Sequence, residues 1–343
     1  MVVILYICKA FKTFKKNSKR KNMIYLPIEH IELRYTTHLD RDIRNYLDQH
    51  DIGYTYIEPK VFSHDIKNGS FLDADNTIYR QFYQMQKVIE GLWNGSIDKN
   101  ETIFVSDLWN FALLAVPYLN FFSDYKLKVR GILHAGSFTD TDFVRQMERI
   151  YKGFEESLFD ICEKIYIGSN FIKQDVLKKR YVSADKLVVT GLPLDFKRIN
   201  RFKTDKPKEK IIVFNGRNVD EKQPYLFDLL KKRLPQYTYI NTQLLNLNKE
   251  EYYKVLSRAK VVVSFALQEN FGYGIQEAVA LGCIPIVPDR LAYKEQFDKE
   301  YRYSNFDNCV EMVEKAMNDI LPQTESILRD NDRIFKVWFQ DFV

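Results

Sequence analysis

From Met23 onward the chain alternates short apolar runs with stretches in which apolar residues recur every three or four positions. The runs Ile24–Ile28, Tyr54–Ile57, Thr102–Val105, Val129–Leu133, Lys164–Ile167 and Leu187–Thr190 read as strands. Between them, Leu39, Ile43 and Leu47 share one helical face, and Ile78, Phe82, Met85, Ile89 and Leu92 share another. Further helices are expected at Leu108–Tyr118, at Phe143–Phe159 and after Ser169, a residue suited to an N-cap. The alternation breaks at Lys197–Lys210, which carries seven basic and two acidic residues and little that is apolar. It restarts with strands at Ile211–Phe214, Tyr237–Ile240, Val261–Ala266 and Ile284–Val287. The helices of this second block are expected at Pro224–Leu234, Lys249–Ser257, Gly274–Leu281, Phe306–Ile320 and Ser326–Phe342, with Asn248 capping the second of them.

Strands that alternate with helices imply parallel sheets covered on both faces. Two such blocks imply an α/β protein of two doubly wound domains, and 343 residues is a suitable length for two. The pattern divides the chain into a leader at 1–22, a first domain at 23–196, a linker at 197–210, a second domain at 211–325 and a final helix at 326–343 that is free to pack back on the first domain. Ligands of such sheets bind at the carboxyl ends of the strands. Two facing domains place that site in the cleft between them.

Composition excludes several classes. With 45% apolar and 28% charged residues the chain is neither disordered nor a disulfide scaffold. Cys8, Cys162, Cys283 and Cys309 are scattered without a CxxC pair, so reduced thiols and a cytoplasmic setting are expected. The net charge of +5 hints at an anionic partner until its location is considered. The leader MVVILYICKAFKTFKKNSKRKN holds seven basic residues and no acid, which leaves −2 for the rest. Its apolar run, Met1–Cys8, is too short to span a bilayer. Its charges follow the apolar run instead of preceding it, unlike a secretory signal. An amphipathic anchor on an anionic surface is one reading. A solvated tail, or a protein that starts at Met23, is the simpler one. No transmembrane segment is expected.

The densest chemical signal is Val261–Asp289, VVVSFALQENFGYGIQEAVALGCIPIVPD. A strand enters a loop holding Glu269, Gly272 and Gly274, and the loop enters a helix carrying Glu277. Glycines let a ligand approach the backbone closely. The free N–H groups of a helix start suit a phosphate or a sugar hydroxyl, and a carboxylate beside them accepts two hydrogen bonds from a diol. Upstream, IIVFNGRNVDEK places Gly216 and Arg217 after a strand and Lys222 five residues on.

ENFGYGIQEA, with the following LGCIPIV, resembles the nucleotide-sugar signature of glycosyltransferase family four, a retaining family of the GT-B fold with two Rossmann-like domains. Gly216-Arg217 and Lys222 resemble the family's diphosphate-holding pair, and Thr190–Asp195, TGLPLD, resembles its turn at the end of the first domain. These matches cover about residues 187–296. The resemblance implies a donor site formed by Gly216, Arg217, Lys222, Glu269, Asn270, Phe271, Gly272, Tyr273, Gly274, Ile275 and Glu277, with Glu269 on the sugar and Glu277 on the ribose. Fixed cations would stabilise the charge that develops on a diphosphate leaving group. The resemblance also implies that His134, at the end of a strand, faces the donor sugar. His134, Glu269, Arg217 and Lys222 are therefore the expected catalytic group.

The first domain lacks the glycine pair that many members carry after the first strand. Instead Tyr25–Thr36, Leu133–Phe143 and Ile167–Val176 resemble glycosyltransferases encoded by bacteriophages, some of which add sugar to hydroxymethylated DNA. That implies host cytoplasm and, as acceptor, DNA reached through a basic, aromatic-lined groove. Lys126, Lys128 and Arg130, or Lys178, Lys179 and Arg180, are candidates for it. Glu29, His30, Arg34, Asp140 and Asp142 are weaker acceptor-side candidates, and helix capping is the simpler role for both aspartates. Asp73-Ala74-Asp75 and Asp140-Thr141-Asp142 have the spacing of metal-binding motifs. Those belong to a different glycosyltransferase fold, so neither metal nor cofactor is expected beyond the nucleotide-sugar substrate. A polysaccharide, lipid-linked or protein acceptor, a nucleotide-sugar epimerase and a silent binding module remain alternatives. The sequence leaves the oligomeric state open.

Overall fold

The protein is described by a computed structural model that covers residues 22–31, 34–62, 73–324 and 331–343. The leader reading, apart from Asn22, falls outside these residues, as do Cys8 and the start of the final helix region. The N-terminal half runs β1 (Met23–Leu26), α1 (Tyr35–Gln49), β2 (Tyr54–Tyr56), α2 (Ala74–Asn94), β3 (Thr102–Val105), α3 (Ala115–Phe122), β4 (Lys128–Leu133), α4 (Glu148–Ile161), β5 (Cys162–Ile167), α5 (Asn170–Lys179), β6 (Leu187–Val189) and α6 (Phe196–Ile199). The C-terminal half runs β7 (Glu209–Phe214), α7 (Tyr225–Arg233), β8 (Thr238–Asn241), α8 (Lys249–Arg258), β9 (Ala259–Val263), α9 (Tyr273–Ala280), β10 (Ile284–Pro288), α10 (Tyr293–Gln296), β11 (Arg302–Tyr303) and α11 (Phe306–Met317). A last helix, α12 (Asp332–Phe339), follows.

All pairings are parallel. The first sheet has the order β2-β1-β3-β4-β5-β6 and the second β11-β10-β9-β7-β8. Each order reverses direction at an inner pair, β1/β3 and β7/β9, and the crevice of a doubly wound sheet opens at such a point. The edge strands β2 and β8 are half-buried, whereas the inner strands β9 and β10 are buried on both faces. This is why β9 reads AKVVV and β10 reads IPIVP with no polar alternation.

α12 does not stay with the C-terminal half. Ile334, Phe335, Trp338 and Phe339 pack on Met23, Tyr25, Phe104, Ile132 and Tyr166 of the first sheet. Trp338 donates its indole N–H to Thr190 at 3.0 Å, and Tyr166 donates to the Trp338 carbonyl at 3.1 Å.

Three expectations need correction. The apolar face assigned to α2 is only in part the buried one. Ile78, Phe82 and Ile89 are exposed, whereas Arg80, Gln81 and Gln84 are buried with Met85, Val88 and Leu92. The reason is backbone satisfaction. Gln84 donates to the carbonyls of Pro27 and Ile57, Arg80 donates to Pro27, and Gln81 bonds both Trp109 and Phe111, so α2 completes loops that leave the sheet. The expected helix at Leu108–Tyr118 is instead a short 3₁₀ turn, Phe111–Leu114, leading into α3. Lys197–Lys210 is not featureless either. It begins within α6 and a further 3₁₀ turn, Asn200–Phe202, and ends as the start of β7. Lys208 is partly buried there, donating to the carbonyls of Ser257 at 2.7 Å and Leu281, which end α8 and α9.

Candidate functional site

The carboxyl ends of both sheets face a cleft of about 300 Å³. On the C-terminal side β7 runs into Asn215, Gly216 and Arg217. A β-carbon on Gly216 would lie 2.9 Å from the Phe214 ring, so the close turn needs glycine. Lys222 follows in the 3₁₀ turn Asp220–Lys222. It is buried, donates to the Gln268 carbonyl, and lies 3.2 Å from the Glu269 carboxylate. Glu269 also accepts the Gly272 N–H at 2.9 Å. Gly272 has φ +78°, a conformation that glycine adopts without strain, and it starts α9. The next N–H groups, of Tyr273 and Gly274, lie in the first turn and have no intrahelical carbonyl to bond. Gly274 packs so close to Asn215 that a β-carbon there would sit 3.0 Å from its amide. Arg217 stands at the rim, partly exposed and paired with Glu221 at 2.7 Å.

The N-terminal side supplies His134, just past β4. Its Nε2 lies 2.9 Å from the Ser106 carbonyl, which can only accept. That nitrogen therefore carries the proton, and Nδ1 is left as an acceptor. Burial pushes the imidazole below its usual value, with Asp107 and the Ser106 carbonyl working weakly the other way. A neutral ring that accepts at Nδ1 is suited to a hydroxyl donor. Asp142 lines the same cleft and caps the following 3₁₀ turn through the Val144 N–H at 3.1 Å. Burial raises its carboxyl, opposed by Arg217 and Lys222.

Of the expected donor residues, Gly216, Arg217, Lys222, Glu269, Asn270, Phe271, Tyr273 and Gly274 line the cleft. Ile275 instead belongs to the second sheet's core. Glu277 is buried behind the lining, where its Oε1 takes Lys249 at 2.6 Å and Tyr253 at 2.9 Å. Asn270 bridges the halves, donating to the His134 carbonyl at 2.9 Å while its own carbonyl accepts from Ser169 at 2.8 Å. Tyr273 stacks on Tyr35 with centroids 4.7 Å apart and planes 8° from parallel. Tyr35 in turn lies 5.0 Å from the His134 ring.

The weaker acceptor candidates disperse. Glu29 is buried against Arg80 at 3.0 Å, and His30 lies 3.1 Å from Asp40. Arg34 precedes α1, half-buried and within electrostatic reach of Arg217. Asp140 caps nothing; it is exposed and pairs with Lys179 at 2.8 Å. Neither cation cluster forms a bare phosphate-binding strip. Lys128 and Arg130 pair with Glu163, and Arg130 also with Asp341, on the early part of β4. Arg180 is buried against Glu155 and Glu148. Asp73 caps α2 through the Asn76 N–H. Among the described residues no group of three or more His, Cys, Asp or Glu is gathered to hold a metal.

Tyr35, Asp107, Trp109 and Asn215 also line the cleft and were missed from sequence. Asp107 and Asn215 had a usable signal, because each follows a strand at its carboxyl end.

No family model matches the chain. It is 30% identical over 169 residues to a tRNA-queuosine alpha-mannosyltransferase of Drosophila melanogaster, a match that covers 45% of this chain and 44% of that protein. The chain thus spans less than half the length of that curated relative. Solved structures align over nearly the whole chain. The catalytic domain of starch synthase IV from Arabidopsis thaliana, bound to ADP and acarbose, superposes with a TM-score of 0.62 at 10% identity, covering 95% of both chains. Alr3699/HepE of Anabaena, in complex with UDP and glucose, gives 0.55 at 12% identity over 94% of this chain and 99% of the other. A glycosyltransferase from Rickettsia africae gives 0.55 at 10% identity over 95% and 98%. With two parallel Rossmann-like sheets opening on a common cleft, and these neighbours matching both, the chain has the GT-B glycosyltransferase fold.

Proposed function

We propose that this protein is a retaining glycosyltransferase that moves a sugar from a nucleoside diphosphate to a hydroxyl on a modified nucleic-acid base. One observation carries the donor side. Lys222, a buried cation, sits beside Glu269 under the glycine-bearing start of α9, opposite a neutral His134. In this reading the diphosphate takes Lys222, Arg217 and the free N–H groups of α9. Glu269 is held in place by Gly272 and accepts sugar hydroxyls, as does Nδ1 of His134. Glu277 faces the ribose, with Lys249 and Tyr253 fixing its carboxylate. The acceptor oxygen attacks the anomeric carbon on the face that the phosphate leaves, and the departing phosphate oxygen takes its proton. No protein nucleophile is required, and the cations carry the charge that develops.

The acceptor reading rests on the resemblance to phage enzymes and on the tRNA base acted on by the Drosophila relative. The cleft supports it by size and lining. About 300 Å³ beside the Trp109 and Tyr35 rings suits one extruded base better than a continuous groove. The test is incubation of the protein with labelled nucleotide sugars and three acceptor pools: hydroxymethylated DNA, tRNA and polysaccharide. Label in either nucleic acid, with the anomeric configuration kept, is the expected result. Label only in polysaccharide would overturn the acceptor reading. Conversion of the donor sugar with no acceptor present would make the protein an epimerase.

A further inference from the structure

A buried ion pair, Glu155 with Arg180, lies behind the N-terminal wall of the cleft. Neither side chain is reached by solvent, and Arg180 Nε donates to Glu155 Oε2 at 2.7 Å. Arg180 also donates to Glu148 at 3.0 Å and to the Ser137 hydroxyl at 3.1 Å. The second carboxylate oxygen, Glu155 Oε1, serves the cleft wall. It accepts the indole N–H of Trp109 at 3.0 Å and the backbone N–H of Ser137. Trp109 follows β3 and lines the cleft, and Ser137 lies three residues past His134.

A buried pair is a weak source of stability, because taking two charges out of water offsets their attraction. What this pair supplies is position. A carboxylate only accepts, and both N–H groups on Oε1 belong to the wall of the cleft. The loop is drawn tightly onto that oxygen. A β-carbon on Gly136 would lie 2.8 Å from it and 2.4 Å from the Phe138 ring. The backbone of Trp109 is fixed as well. Its N–H donates to Asp107 at 3.2 Å, and its carbonyl accepts from Gln81 at 2.9 Å. Phe111, Tyr151 and Phe154 meet the indole at 64°, 61° and 87°, edge to face. None of the three lies flat on it, so a flat contact remains for a ligand to make.

We propose that Glu155 is a positioning residue for the acceptor. Through the indole N–H it holds Trp109 as the platform on which the acceptor base stacks, and through Ser137 it holds the loop that starts at His134. The proposal rests on the acceptor reading given above. A base taken out of its stack is held by aromatic side chains in this way. Being fully buried, Glu155 touches neither substrate and acts through these two groups.

The test is steady-state transfer from a labelled donor to the nucleic acid that the parent chain modifies, with donor affinity titrated separately. Trp109→Ala should raise the acceptor KM about tenfold and leave kcat and donor affinity little changed. Trp109→Phe keeps a flat ring without the indole N–H and should raise KM by a smaller factor. Glu155→Gln should raise KM while donor affinity, set by the other half, shows that the variant is folded. Adding Glu155→Gln to Trp109→Ala should raise KM no further, because the ring it acts through is gone. An unchanged KM in Trp109→Ala would overturn the platform. A double variant in which the two KM effects multiply would overturn the positioning role. If Glu155→Gln does not fold, Trp109→Phe decides, and a KM equal to the parent's would overturn the role of the indole bond. A parent chain that labels no nucleic acid would overturn the acceptor reading and this proposal with it, an outcome separate from every variant result.

Discussion

In the proposed donor site, a nucleotide would have to compete for Lys222. It now donates to the Gln268 carbonyl and to Glu269, so an arriving diphosphate exchanges one anionic partner for another and does not meet a bare charge. Lys222→Ala or Arg217→Ala should lower turnover by about 10² or more, the scale on which one developing-charge contact counts. Single-turnover kinetics with saturating donor would show it. Glu277→Ala removes the carboxylate that Lys249, Tyr253 and, in this reading, the ribose share. Donor titration of that variant should show weaker binding, and unchanged affinity would sink the ribose assignment. His38 offers a pH test. Burial pushes its imidazole down to about 4, with its Nε2 beside the Pro193 carbonyl. Its unfolded value is about 6.5, so the unfolded chain binds more protons between these values. Stability from the neutral ring is complete above about pH 6.5 and is lost as pH falls toward 4. Urea midpoints at the two ends should differ less for His38→Gln than for the parent chain.

At the level of elements, the strands were legible because both faces of a parallel sheet are apolar, and a run such as VVV at β9 has one reading. The loop Glu269–Gly274 was legible for a related reason. Gly272 at φ +78° and Gly274 against Asn215 are positions where other residues fit poorly, so spacing and structure coincide. α2 was misread because helical periodicity identifies a face but not its partner. Gln81 and Gln84 are buried to bond loop carbonyls, and those partners are distant in sequence. The partners of Glu277 were hidden for the same reason, since Lys249 and Tyr253 lie 28 and 24 positions away. α12 was expected as a final helix free to pack back on the first domain, but no local pattern revealed its contacts. Trp338 is fully buried between Phe104 and Tyr166, with its indole bonded to Thr190. Trp338→Ala should cost about 3–5 kcal/mol and leave Thr190 without its indole donor. Urea unfolding with a probe in each half would show the loss first in the N-terminal half.

Across the whole molecule, contacts bridge the two halves beside the cleft. Asn270 and Ser169 bond across it, Tyr35 stacks on Tyr273, and the Glu295 carboxylate from α10 caps α5 through the Asn170 and Phe171 N–H groups at 2.8 Å. These are few and partly exposed, the kind of interface that permits relative motion. Removing two of them, in Asn270→Ala with Glu295→Ala, should enlarge the radius of gyration measured by small-angle X-ray scattering without donor. An unchanged radius would mean that the other contacts hold the halves shut.

Placing α12 on the first sheet sets an order of assembly. Domains fold in the order of synthesis where they can. Here the core that holds Met23, Phe104 and Tyr166 lacks Trp338 and Phe339 until that stretch has emerged from the ribosome. The half made first is therefore finished last. During translation its aromatic floor lies open to chaperones while the later half can already close.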